Sequence, residues 1–236
     1  MSTLYLIRHG QASFGKENYD RLSERGRRQS SLLGEMLASG GVKFDALYSG
    51  TLDRHAGTEE EVRAAYARKG ISLPEATRME ELNEYDSRSI LETLIPELLK
   101  EDESYHADAA KLFTDRKAFQ RVFEAAMLKW SSRNYSADGL VHWADFVGGV
   151  YRGIETIMKK DGRGRKLAVI TSGGPVSVAV RKALDLSDEN TMRVTWQIKN
   201  SSVTRFKCTE DTIMLESFNE VSHLEGAGEE GLITYR

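Results

Sequence analysis

At 236 residues the chain is long enough to bury a core without disulfide or metal staples, and one elaborated domain accounts for its length. Lys and Arg number 33 against 36 Asp and Glu, a formal net charge of -3 that argues against a basic nucleic-acid binder, while 40% hydrophobic residues exclude wholesale disorder. The single cysteine, Cys208, excludes an internal disulfide framework and a Cys-based zinc site.

The first segment, Thr3-Leu4-Tyr5-Leu6-Ile7, is apolar on both faces and stops at Arg8-His9-Gly10, the pattern of a strand buried inside a parallel sheet. Met1-Ser2-Thr3 enters it with neither the basic nor the apolar region of a signal peptide, and the apolar runs are far shorter than a membrane span. A cytoplasmic protein with no membrane partner is therefore expected. Ser23 is placed to cap a helix with an apolar stripe at Leu32, Leu33, Met36 and Leu37, stopped by Gly40-Gly41. Phe44-Asp45-Ala46-Leu47-Tyr48-Ser49 predicts a second strand, and residues 54–68 a second helix ended by Gly70. This alternation is that of an α/β fold with a parallel sheet.

The rhythm pauses between residues 85 and 135. Ile90, Leu91, Leu94, Ile95, Leu98 and Leu99 recur at helical spacing, as do Phe113, Phe119, Val122, Phe123 and Met127, which predicts a mostly helical insertion. A helix over about 143–160 follows, then the buried strand Leu167-Ala168-Val169-Ile170-Thr171. After Ser172-Gly173-Gly174, Pro175 suits the first turn of a helix running to Leu184. Residues 202–208 and 212–218 read as closing strands.

In open α/β sheets, ligands gather beyond the carboxyl ends of the strands. Three such ends carry polar or glycine-rich content: Arg8-His9-Gly10-Gln11, the stretch from Ser49 to Arg54, and Thr171-Ser172-Gly173-Gly174. Guanidinium forks match phosphate oxygens, and a helix start adds N–H donors and partial positive charge. Phosphate is the ligand type these residues suit.

Leu6-Ile7-Arg8-His9-Gly10-Gln11-Ala12 resembles the RHG signature of the histidine phosphatase superfamily, the phosphoglycerate mutase-like proteins. Leu22-Ser23-Glu24-Arg25-Gly26, the segment from Ser49 through Arg54 to Thr58, and Leu82-Asn83-Glu84 are similar to further elements of that family in the same order. So are Asn200-Ser201-Ser202-Val203-Thr204 and the stretch from Ser217 to Leu224. The resemblance spans about residues 3–85 and 140–224. It implies a three-layer α/β/α core around a mostly parallel sheet, in one domain over 1–236 with a helical lid or insertion at about 86–135.

The resemblance also implies a metal-independent, cofactor-free phosphomonoesterase acting on a small phosphorylated substrate. His9 would attack phosphorus to give a phosphohistidine, Arg8 and Arg54 would hold the phosphoryl oxygens, and Glu84 would serve as general acid and base. Only the register of Leu82-Asn83-Glu84 selects Glu84 over Glu81. Substrate contacts are expected from Gln11, Ser13, Ser172 and Gly173, with turn stabilisation the alternative for Gln11 and Ser13. Family members usually carry a second histidine where this chain has Ser172. A hydroxyl donates one neutral hydrogen bond and brings no charge, so a weak phosphate-ester-binding module stands as one alternative to the hydrolase; a mutase is the other, and the missing histidine argues against it. His142 is a possible source of the missing imidazole; His55 and His223 read as structural. Arg88, Arg116, Lys117 and Arg121 fit a solvated helix face better than a second anion site. Oligomeric state is left open by the sequence.

Overall fold

Two uninterrupted apolar segments become the adjacent central strands of the sheet, and their neighbours explain why both faces are apolar. A computed structural model describes residues 1–13, 20–112, 114–132, 135–137 and 139–235. The strands are β1 (Ser2–Arg8), β2 (Ala46–Ser49), β3 (Ala76–Arg78), β4 (Lys166–Thr171), β5 (Val203–Cys208) and β6 (Ile213–Glu220), in the spatial order β3-β2-β4-β1-β5-β6. The β3/β2, β2/β4 and β4/β1 pairs are parallel, while β5 and β6 close the sheet antiparallel.

Alternate residues of β1, β2 and β4 face opposite layers. Tyr5, Ile7, Leu47, Ala168 and Ile170 pack with Leu33, Leu37, Val62 and Tyr66 of α1 (Glu24–Ser39) and α2 (Asp53–Arg68). Leu4, Leu6, Tyr48, Leu167 and Val169 instead join Ile154 and Ile157 of α6 (Trp143–Asp161) and Val176 and Val178 of α7 (Gly173–Leu184). Each fully buried aliphatic side chain contributes roughly 1.5–3 kcal/mol of transfer free energy, which is why both faces of these strands are mostly apolar. The result is a three-layer α/β/α sandwich.

Local chemistry sets the boundaries. Ser23 caps α1 by accepting the Gly26 N–H at 3.0 Å, and the chain leaves that helix through Gly40-Gly41. The second predicted strand is shorter than expected: Phe44 lies outside β2 and packs edge-on to Tyr5, ring centroids 5.2 Å apart.

The insertion contains α3 (Ser87–Glu101), the short α4 (His106–Ala109) and α5 (Arg116–Trp130). Asp86 and Asp115 cap the two longer helices, each accepting two backbone N–H groups. Ile90, Leu94 and Leu98 face Val122, Ala126, Met127 and Trp130, and most of this seam is continuous with the α6/α7 core. Phe113, also assigned to the apolar stripe, lies outside the described residues, as does the side chain of Arg116. A further helix, α8 (Asp188–Gln197), follows α7, and α9 (Ser222–Glu225) lies near the end of the chain. Among the described residues, no helix is long and apolar enough to cross a membrane.

Candidate active site

Parallel pairing aligns the carboxyl ends of the three central strands. Arg8 lies opposite Thr171, and Ser49 opposite Ile170, so Arg8-His9, Ser49-Gly50 and Thr171-Ser172 emerge at one edge. The His9 N–H donates to the Thr171 carbonyl at 2.9 Å. His9, only 6% exposed, has its carbonyl held by Ser201 N–H at 3.1 Å and by Asn200 Nδ2 at 3.4 Å.

The contacts of the His9 ring fix its tautomer. Nδ1 lies 2.6 Å from the Gly10 carbonyl, which can only accept, so Nδ1 carries the proton. Nε2 lies 3.1 Å from Arg54 Nε, an obligate donor, and therefore presents a lone pair. Burial, followed by the positive fields of Arg54 and Arg8, lowers the His9 pKa well below its usual value and keeps the imidazole neutral.

Arg54 enters from the first turn of α2, and its Nη1 meets Asp20 Oδ1 at 2.5 Å. The other Asp20 oxygen accepts the Asp53 N–H at 2.7 Å. Arg8 donates through Nη1 to the Ile198 carbonyl. Its Nε would lie 3.7 Å from a Cβ at Gly173, which puts the guanidinium against the start of α7.

Glu84 follows a short 3-10 turn, Glu80–Leu82, that is tied to the end of β4 by Thr171 Oγ1 donating to the Leu82 carbonyl at 2.6 Å. Its carboxylate takes the Gly174 N–H at 3.2 and 3.1 Å. Burial raises the Glu84 pKa despite the opposing pull of that N–H and of Arg54 and Arg8. A Cβ at Gly174 would fall 2.1 Å from Glu84 Oε1 and 3.0 Å from both Phe146 Cζ and Tyr85 Cε1, so glycine is what lets the carboxylate reach the helix. Tyr85 packs against Phe146 and Trp130 at centroid distances of 5.4 and 4.7 Å, building an aromatic wall beside Glu84.

The remaining predicted residues are distributed unevenly. Gly173 opens α7 beside Arg8, and Ser172, 0% exposed, is the N-cap of that helix. Gln11 is built into the α1 cap, where its backbone and side-chain carbonyls both accept from Ser23 Oγ, at 3.2 and 3.1 Å. Ser13 is buried at the edge of the described residues, its N–H on the Arg21 carbonyl at 2.8 Å. His142 stands exposed at the N-cap of α6, its carbonyl accepting from Asp145 and Phe146. Arg88 is paired with Glu92 at 2.8 Å and Arg121 with Asp108, both on the insertion.

His55, read from sequence as structural, lies beside the candidate site. Its ring centroid is 5.6 Å from that of His9, and its Nε2 lies 2.8 Å from Ser172 Oγ. Burial, with Arg54 and Arg78 adding positive potential, pushes its pKa down to about 3. The clue in sequence was adjacency to Arg54; the decisive contact is with a residue far along the chain. His223, by contrast, bonds Ser201 Oγ at 2.8 Å, and burial lowers its pKa to about 4. Among the described residues, no group of three or more His, Cys, Asp or Glu side chains is arranged to hold a metal ion.

An α/β sandwich of this topology, with its polar cluster at the carboxyl edge of the sheet, has the phosphoglycerate mutase-like fold. The phosphoglycerate mutase from Bacillus anthracis str. Sterne superposes with a TM-score of 0.64 at 16% identity, covering 96% of each chain. The phosphoserine phosphatase from Entamoeba histolytica, in complex with 3-phosphoglyceric acid, gives 0.63 at 19% identity, over 95% of this chain and 100% of that one. The alpha-ribazole phosphatase from Shigella flexneri gives 0.61 at 17% identity, over 93% and 96%. The family profile of the histidine phosphatase superfamily (branch 1) matches residues 4–127 and 114–221, and the chain belongs to that superfamily. No curated protein matches the sequence significantly.

Proposed function

We propose that the protein is a phosphomonoester hydrolase that forms a phosphohistidine on His9 and needs no metal for the step. The observation that carries this reading is the His9 ring itself: neutral, with its Nδ1 proton donated to the Gly10 carbonyl and its Nε2 lone pair facing the Arg54 guanidinium. A phosphoryl group that takes the Arg54 Nε–H in place of Nε2 frees that lone pair to attack. Superfamily membership supports a phosphatase-type enzyme, and both phosphatases and a mutase share the fold.

In the first step Nε2 attacks phosphorus while the bond from phosphorus to the ester oxygen breaks. Arg54 and Arg8 offset the charge on the non-bridging oxygens, which is where most phosphoryl-transfer catalysis lies. Glu84, whose pKa burial raises, gives its proton to the departing alkoxide. In the second step the Glu84 carboxylate takes a proton from water as that water attacks phosphorus. The N–P bond breaks, phosphate leaves and neutral His9 returns.

The wall of Tyr85, Phe146 and Trp130 beside Glu84 lies where the leaving group would depart, with the helices of the insertion as its lid. Arg88 and Arg121 are committed to Glu92 and Asp108. The aromatic wall favours a small phosphorylated substrate with an apolar or aromatic leaving group, and so hydrolysis over mutase chemistry.

The test is phosphate release from a panel of phosphomonoesters with and without a chelator, wild type beside His9→Ala. Chelator-insensitive turnover by wild type, absent in the variant, together with an acid-labile phosphoenzyme, is expected. Equal turnover in His9→Ala refutes the mechanism.

A further inference from the structure

Ser172 occupies a helix N-cap without acting as one. A serine at this position ordinarily accepts an N–H of the first turn, yet Ser172 Oγ makes no cap hydrogen bond. The Gly174 N–H in that first turn is taken by Glu84 instead. The Ser172 hydroxyl turns to His55 Nε2, 2.8 Å away, and both residues are 0% exposed.

The contacts of His55 decide which partner donates. Among the described residues, its Nδ1 is buried with no hydrogen-bond partner. That nitrogen lies against Gly50, where a Cβ would come within 2.2 Å of it. A lone pair facing the aliphatic surface of Gly50 is tolerated there, whereas an N–H would be a buried donor without an acceptor. The proton therefore sits on Nε2, and His55 donates to Ser172 Oγ. A hydroxyl oxygen that has accepted this bond keeps its own proton for another acceptor.

Ser172 follows Thr171, whose carbonyl holds the His9 N–H at 2.9 Å. The His55 ring lies 5.6 Å from the His9 ring. We infer that His55 is a positioning residue: it orients the Ser172 hydroxyl to donate to a phosphoryl oxygen held at His9, so that imidazole and hydroxyl act in series as one donor. This rests on the phosphohistidine reading of His9. Deleting either member of such a unit costs as much as deleting both, since the chain of donation is broken in each case. Gly50 belongs to the arrangement, because any side chain there would displace the ring that does the orienting.

The experiment measures orthovanadate affinity by calorimetry, beside kcat and KM for an aryl phosphate, in wild type and in Ser172→Ala, His55→Met, His55→Gln and the Ser172→Ala/His55→Met double variant. Methionine keeps the volume and removes the donor; the glutamine amide restores an N–H near the position of Nε2. Ser172→Ala and His55→Met are each expected to lower kcat on the order of 10²-fold, the usual cost of one oxyanion donor. Vanadate affinity should fall with kcat while KM changes little. The double variant should match the single ones, and His55→Gln should recover most of the loss. Wild-type behaviour in His55→Met, or losses that multiply in the double variant, would overturn the inference. Should His55→Met not fold, His55→Leu takes its place beside Ser172→Ala. Equal losses in the two uphold it, and wild-type binding in His55→Leu overturns it. A wild type that binds vanadate but hydrolyses no ester removes the hydrolase reading alone, with the affinities still deciding this one. A wild type that binds no vanadate removes both.

Discussion

Replacing Glu84 by Gln is expected to slow turnover and, at neutral pH, to make the protein more stable. In the native protein burial outweighs the Gly174 N–H and the fields of Arg54 and Arg8, so the carboxyl keeps its proton to higher pH than a free glutamate. In the unfolded chain it ionises near about pH 4.3. Below that value both states hold the proton, and the group contributes its full share of stability. As pH rises toward the native pKa, the unfolded state has lost a proton that the native state still binds. Stability therefore falls through this window, by about 1.36 kcal/mol per unit of separation between the two pKa values, and then stays at the lower level.

Glutamine does not titrate, and its carbonyl can still accept the Gly174 N–H, held at 3.2 and 3.1 Å in the native protein. The stability of Glu84→Gln minus that of wild type should thus be flat in acid, grow through the window and level off above it. Urea unfolding from about pH 4 to about pH 8 measures this directly. The same variant should lose on the order of 10²–10⁴-fold in kcat on alkyl phosphates, the usual range for general acid–base catalysis. It should lose much less on nitrophenyl phosphate, whose leaving group needs little help from an acid. A stability difference that does not move with pH, or equal losses on both substrates, refutes the reasoning.

Two other substitutions probe the packing. Ser172→His puts a second imidazole where Ser172 Oγ already lies 2.8 Å from His55 Nε2, and should destabilise by about 1–3 kcal/mol through overpacking. His55→Ala in the same chain should relieve that loss, which urea midpoints of the single and double variants will show. Leu94→Ala opens a cavity at a side chain 0% exposed in the α3/α5 seam and should cost about 2–5 kcal/mol. A cost below about 1 kcal/mol in urea unfolding would mean that the insertion does not unfold together with the sheet.

The sheet was legible wherever burial is two-sided. Segments such as Leu4 to Ile7 and Leu167 to Ile170 have apolar neighbours on both faces, and an unbroken run admits few other readings. The edge strand β3 was not legible: three residues, one of them partly buried and two exposed, leave no periodicity to detect. Helix α8 left a signal that went unread, since Ser187 caps it, accepting from Asn190, and Asp188-Glu189 supply an acidic first turn. At the candidate site, Arg8, His9, Arg54, Glu84 and Ser172 were nominated because they follow strands or fall in a motif. Turn stabilisation by Gln11 was weighed without its partner Ser23, and the link from His55 to Ser172 was beyond reach. Both depend on pairings between residues distant in sequence, which only the closed fold creates.

The Asp20–Arg54 ion pair has a consequence for how any phosphate ester enters. With Asp20 Oδ1 at 2.5 Å, Arg54 already holds an anion, so ligation there is an exchange of one acid group for another rather than an addition to an empty cation. A singly charged competitor replaces like with like and gains little, whereas a dianion brings excess charge to two arginines. On the proposed phosphate reading, the pair would act as a threshold on charge, holding off dilute chloride or acetate and yielding to a phosphate dianion. Asp20→Asn should lower that threshold and make turnover more sensitive to background salt.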